Sequence, residues 1–155
     1  MKKIITVITI VFALCSCSKQ KKATTKIKKE VKMEISNKQK TVSLLKSIET
    51  GVKEPIAYIN ANKYKQHNLG VADGLVGFGE ALSHLPTNSA KVNTIRVFSD
   101  GDYVFTHTDY NFFGPKIGFD IFKFENGKIV EHWDNLQEKT TQLNPSNRSM
   151  IDGAT

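Results

Sequence analysis

Cysteine is almost absent from this chain of 155 residues. The two that occur, Cys15 and Cys17, stand near its start, so no disulfide is expected to staple the remainder. A domain without disulfides must stand on its core, and 39% apolar residues supply enough for one domain of this length. Tryptophan is single and proline scarce, with four. A long hydrophobic run is also missing, because Ile4–Leu14 is broken by threonines and falls short of the roughly 20 residues that span a bilayer. No permanent transmembrane helix is expected. Gly-rich phosphate loops, a serine nucleophile elbow and an active-site cysteine are lacking too, which removes the chemistries they carry.

What the start of the chain does contain is a charged Met1-Lys2-Lys3 followed by a short apolar stretch, the pattern of an export signal. It ends in Leu14-Cys15-Ser16-Cys17, which resembles the lipobox of bacterial lipoproteins. The resemblance implies cleavage before Cys17 and acylation of its thiol. Several acyl chains on one residue anchor a protein where a single chain would not. Residues 1–16 are then a signal peptide, and the expected location is the cell envelope, lipid-anchored on the periplasmic or outer-membrane side.

The net charge of +7 is unevenly spread. Residues 18–40 carry nine lysines against Glu30 and Glu34, whereas residues 41–155 hold eleven basic and thirteen acidic side chains, a balance of −2. The basic charge belongs to a tether over residues 17–40. Such a run stays solvated beside a membrane and is drawn to anionic headgroups by about 1 kcal/mol per lysine near the surface. Nucleic acid is not an expected partner.

From Lys40 the period is helical, with Val42, Leu45 and Ile48 in step and Gly51 closing the run. Pro55 suits the first turn of a second helix, with Ile56, Ile59 and Tyr64 inward, ending near His67-Asn68. Asp73 can cap a third, in which Leu75, Phe78, Leu82 and Leu85 share a face before Pro86. Beyond it the period becomes two, and turn signals divide the chain into strands near 91–99, 103–111, 116–125 and 128–136. Asp100-Gly101 and Asn126-Gly127 are hairpin signals, and Gly114-Pro115 marks the middle connection. Three helices and a meander predict an α+β domain over residues 41–138, with a polar tail over residues 139–155 that should fray.

The segment Phe119–Asp134, with Asn126-Gly127 at its tip and Glu131-His132-Trp133-Asp134 at its end, resembles the closing hairpin of SnoaL-like proteins. These belong to the nuclear-transport-factor-two-like superfamily. Tyr64-Lys65-Gln66-His67-Asn68, Asp73-Gly74, Gly101-Asp102 and His107 extend the resemblance over about residues 40–138. It implies a cone-shaped fold, in which a strongly curved, antiparallel-rich sheet wraps over three N-terminal helices and leaves a ligand pocket. The family includes polyketide cyclases, isomerases, epoxide hydrolases and non-catalytic binding modules, so fold alone does not fix chemistry.

Strand alternation groups Phe105, His107 and Asp109, then Asp120, Phe122 and Phe124, then Val130, His132 and Asp134. Assigned to the concave face, these sets enclose convergent polar groups within aromatic walls, with His67 near the mouth. In the family's cyclases a pocket aspartate moves the proton during aldol closure. The resemblance thus implies Asp120 or Asp134 as acid/base with His107 as partner, and Phe105, Asp109, Phe122, Phe124, His132 and His67 as substrate contacts. An epoxide hydrolase would need an arginine where His107 stands. The histidines and Asp120 are metal-ligand types, but their spacing matches no metal motif, and neither metal nor cofactor is expected.

These residues lead to two expectations: acid/base catalysis, as aldol-type cyclisation or isomerisation, on a small apolar carbonyl compound, or a non-catalytic small-molecule pocket at the envelope. The face opposite the pocket, assigned Val104, Thr106, Tyr110, Ile121 and Trp133, is too apolar for water and predicts a homodimer. At the anchor, Cys17→Ser should leave the protein with its leader or release it to the soluble fraction. Mass spectrometry of the mature protein that finds an unmodified N-terminus at another residue would refute the lipidation.

Overall fold

The computed structural model describes residues 34–85 and 89–153, and the compact unit is Ile35–Thr155. The expected signal peptide, Cys17 and most of the expected tether lie outside the described residues.

Helix α1 (Asn37–Thr50) begins at Ser36, whose hydroxyl accepts from the Gln39 amide while Gln39 Oε1 accepts from the Ser36 amide at 3.0 Å. This capping box satisfies two end groups reciprocally. Gly51, at φ 70°, closes the helix with its N–H on Ser47 O. The buried stripe is Thr41, Leu44 and Leu45, flanked by partly buried Ile48, one step round from the expected Val42 face. From the same helix, Lys46 Nζ bonds Val92 O and Glu49 accepts from Val92 N–H, so edge strand β2 (Lys91–Asp100) has a polar cover at its start.

The expected second helix is a 3₁₀ turn, Glu54–Tyr58, after which the sheet claims the chain. Ile59 bridges Ile129, Asn60 N–H bonds Ile129 O at 2.8 Å, and the Asn60 side chain accepts from Asn62 N–H. That Asx turn competes with helix, and strand β1 (Lys65–Gln66) then pairs parallel with β5 (Lys128–Glu138). Among the described residues two α-helices therefore replace the expected three. The second, α2 (Gly74–Ser83), follows Asp73, whose carboxylate accepts from Gln66 N–H at 2.7 Å and makes no bond to the helix.

The sheet runs β1-β5-β4-β3-β2, antiparallel apart from β1, with β3 at Tyr103–Asn111 and β4 at Pro115–Glu125. All four long strands lie within about two residues of their expected bounds. Both central residues of the Asn126-Gly127 turn have positive φ, 49° and 71°, as a tight hairpin matched to strand twist requires. Helices and strands enclose a core of Leu44, Leu45, Ile59, Tyr64, Val92, Val104, Tyr110, Phe122, Phe124 and Ile129. This is the expected α+β class, an open curved sheet with helices on one face. The tail beyond it forms turns, and Asp152 O accepts from Arg96 Nη2 at 3.0 Å.

Register decides which side chains meet. Across β3 and β4 the pairs are Val104↔Phe122, Thr106↔Asp120 and Tyr110↔Lys116, so even-numbered residues of β3 share the concave face with Asp120. The expected grouping is inverted on this strand. Phe105, His107 and Asp109 lie on the convex face, while Val104, Thr106 and Tyr110 turn inward. A one-residue difference in the Phe112–Gly114 loop is enough to exchange the two sets, because side chains alternate with period two. Across β4 and β5 the tip pairs Glu125↔Lys128 and Phe124↔Ile129, which if continued would set Asp120 against Trp133. A bulge with Val130 as its extra residue shifts the register by one, giving Phe122↔His132 and Asp120↔Asp134. Gly118 completes this face. A Cβ there would meet the Tyr110 ring at 2.4 Å, so only glycine lets that ring lie on the strand.

Candidate functional site

Between the concave face, α1 and α2 lies a cavity of about 340 Å³. Leu44, Leu45, Phe78, Leu82, Phe112 and Phe122 give it apolar walls, and Asp120, His132 and Asp134 come together on one side with Gln66 and Asn68. A mostly apolar hollow with a few convergent polar groups is the usual form of a small-molecule site.

Asp120 is 3% exposed and its carboxylate is held on both oxygens. Oδ2 accepts from Thr106 Oγ1 at 2.8 Å and Tyr110 OH at 2.9 Å, while Oδ1 lies 3.3 Å from His132 Nε2. Burial, together with the negative charge of Asp120, pushes the Tyr110 hydroxyl well above its ordinary range, so it remains a donor. Tyr64, also buried and close to Asp134, is pushed up in the same direction.

The tautomer of His132 follows from β1. Gln66 Oε1 accepts from the backbone N–H groups of His67 and Asn68, which fixes it as the oxygen, and Gln66 Nε2 donates to Tyr64 OH. His132 Nδ1, 2.8 Å from that oxygen, must carry a hydrogen. Nε2 is left facing Asp120 Oδ1 across 3.3 Å. Beside this pair, Asp134 Oδ2 accepts from Asn68 Nδ2 at 2.6 Å. One ligand atom each from Asp120, His132 and Asp134 falls within 4.8 Å of the others, a cluster that could also hold a cation.

Of the residues singled out in the sequence, Asp120, Asp134, Phe122 and His132 line the cavity. Phe124 is buried in the core without lining the cavity. His107 stacks on Phe119 on the convex face, with its Nδ1 2.9 Å from Arg96 Nη1, and cannot partner Asp120. Phe105 stacks on Phe98, and Asp109 pairs with Lys139 Nζ at 2.6 Å. His67 is exposed, stacked on Trp133 and bonded to Glu131. Missed were Thr106 and Tyr110, for want of the strand parity, and Gln66 and Asn68, hidden in an apparent helix end.

No family model matches the chain, and no curated protein matches it either. Solved structures do. An NTF2-like protein of unknown function from Cytophaga hutchinsonii shares 14% identity, with 69% of this chain over 95% of that one and a TM-score of 0.58. A SnoaL-like polyketide cyclase from Agrobacterium tumefaciens shares 12%, with 67% over 93% and a TM-score of 0.55. A Kribbella flavida protein provisionally named a ketosteroid isomerase shares 10%, with 77% over 90% and a TM-score of 0.57. The chain has the NTF2-like α+β cone fold.

The convex histidine carries its own pH signature. Burial and the adjacent Arg96 charge hold His107 below its ordinary value, and its Nε2 is buried without a partner among the described residues. An unfolded imidazole titrates near ~6.5, so below that the unfolded chain binds the extra proton first and stability falls as pH drops. Thermal unfolding of wild type should lose more stability on acidification than His107→Gln does. Parallel losses would show that His107 is not the group responsible.

Proposed function

We propose that the chain is a SnoaL-like lipoprotein, anchored at the cell envelope through Cys17, whose cavity takes a small apolar carbonyl compound and moves a proton on it. The observation that supports this reading is the Asp120–His132 pair, set in the wall of the cavity with Oδ1 and Nε2 3.3 Å apart. Asp120 Oδ1 receives the substrate proton and returns it to another carbon or oxygen. His132 stabilises the charge on that carboxyl, in the role first expected of His107, and Gln66 orients its ring. Thr106 and Tyr110 keep the other oxygen still. Asp134 is the second carboxylate within reach of the reacting atoms. Such a device suits intramolecular aldol closure or isomerisation, and the SnoaL-like polyketide cyclase shares the fold.

The alternative is a non-catalytic binding lipoprotein. It is favoured by one feature of the same pair: both His132 nitrogens are engaged by protein groups. Asp120→Asn separates the readings. An enzyme should lose turnover of a carbonyl substrate by roughly 10²–10⁴-fold. Unaltered ligand affinity in the variant, with no turnover of any carbonyl compound by wild type, would leave only the binding role.

The convex face supports a sheet-to-sheet homodimer, through a patch that differs in part from the expected one. Phe98 and Phe119 are 58% and 56% exposed there, beside Phe105, Ile121 and Trp133. A two-fold axis covers such a patch with a second copy of itself. Ile121→Glu brings two like charges to that interface and should yield a monomer in sedimentation with the cavity unaltered. A wild type that already sediments as a monomer at micromolar concentration would exclude the dimer.

A further inference from the structure

Asp120 and Asp134 stand directly opposite each other across β4 and β5, on one face and inside an apolar cavity. Like charges in opposed register destabilise a sheet unless something positive comes between them. The protein provides little that could. Lys116 is the lysine that lines the cavity, but it lies four residues along β4 from Asp120, ~13 Å at the rise of a strand, and its ammonium is paired with Glu138. Among the described residues no arginine lines the cavity, and His84 sits exposed at its rim. His132 supplies at most one charge, and its Nε2 is turned to Asp120 Oδ1. Asp134 Oδ1 has no donor among the described residues, its other oxygen being held by Asn68. Around this negative corner the walls are aromatic, with Tyr64, Phe78, Tyr110, Phe112 and Phe122. Ring faces attract organic cations, and more strongly where water is excluded.

We infer that the ligand is a small organic cation: an apolar body carrying a protonated amine, whose N–H donates to Asp134 Oδ1 and whose charge faces both carboxylates. A bare divalent ion at Asp120, His132 and Asp134 would meet the charge but leave the aromatic volume of about 340 Å³ without a role. This adds a cationic amine to the apolar body of the ligand proposed above, with or without the carbonyl on which Asp120 would act. It requires that the cavity bind a ligand but not that Asp120 transfer a proton, so the two readings can fail separately.

The test is calorimetry on the full chain with size-matched sets: benzylamine, benzyl alcohol and benzoate; phenethylamine, phenethyl alcohol and phenylacetate; tryptamine, tryptophol and indoleacetate. Within each set the amine should bind about tenfold or more tightly than the alcohol, with the carboxylate weakest. In Asp134→Asn the preference for amine over alcohol should fall to about twofold or less, while alcohol affinity is kept. Should that variant not fold, the amine-to-alcohol ratio in wild type decides alone. Equal affinities, a preferred carboxylate, or no binding of any amine overturns the inference. So does tight binding of zinc or manganese ions that no amine displaces, which would give the cluster to a metal. Amine selectivity without turnover of any carbonyl compound upholds it and removes the catalytic reading.

Discussion

One extra residue in β5 governs the concave face. The hairpin at Asn126-Gly127 fixes a register in which Asp120 would oppose Trp133, and the bulge at Val130 moves every later pair by one. With that shift His132 and Asp134 turn inward beside Phe122 and Asp120, and Trp133 turns out. Without it the carboxylates and the imidazole would be divided between two faces, and the apolar wall would contain an indole in place of a dyad. A bulge also tightens the local twist, which helps an open sheet close around a hollow.

The polar cluster shows how a buried carboxyl is tolerated in a domain without a cysteine of its own. Every group touching Asp120 is itself held: Thr106 and Tyr110 by the strand, and His132 by Gln66. Gln66 is fixed by two backbone amides of its own loop, and Asp73 reaches back to bond its N–H. Asp73 therefore braces the loop behind the dyad, at the expense of a side-chain cap on α2. Buried networks are stable only when each member is satisfied, and this one extends from the sheet into a segment with almost no regular structure.

How much of this could be read from the sequence depended on the range of the signal. Hairpin tips were legible: Asn126-Gly127 encodes its own backbone geometry, and the Asp100-Gly101 signal falls one residue before the Gly101-Asp102 turn that joins β2 to β3. Strand bounds followed from them. The residues after Pro55 were misread as helix because Ile56 and Ile59 have helical spacing, yet pairing of Ile59 and Asn60 with Ile129, some 70 residues on, decided their fate. The site was half legible for the same reason. Asp120, His132 and Asp134 lie on strands whose inward parity shows as Phe122 beside Asp120. On β3 both parities read as plausible core, Val104-Thr106-Tyr110 against Phe105-His107-Asp109, and only the length of the Phe112–Gly114 connection separates them.

The contact between Gly118 and Tyr110 joins two positions eight residues apart in the chain into one unit of inheritance. A side chain at 118 would strike the ring lying over it, and a displaced ring would take its hydroxyl from Asp120. Related sequences that keep the tyrosine are therefore bound to keep the glycine, whereas those that lose the tyrosine are free to vary at both places. Read in an alignment, the two columns would change together, and the lineages in which they do so would be those that had given up the phenolic donor.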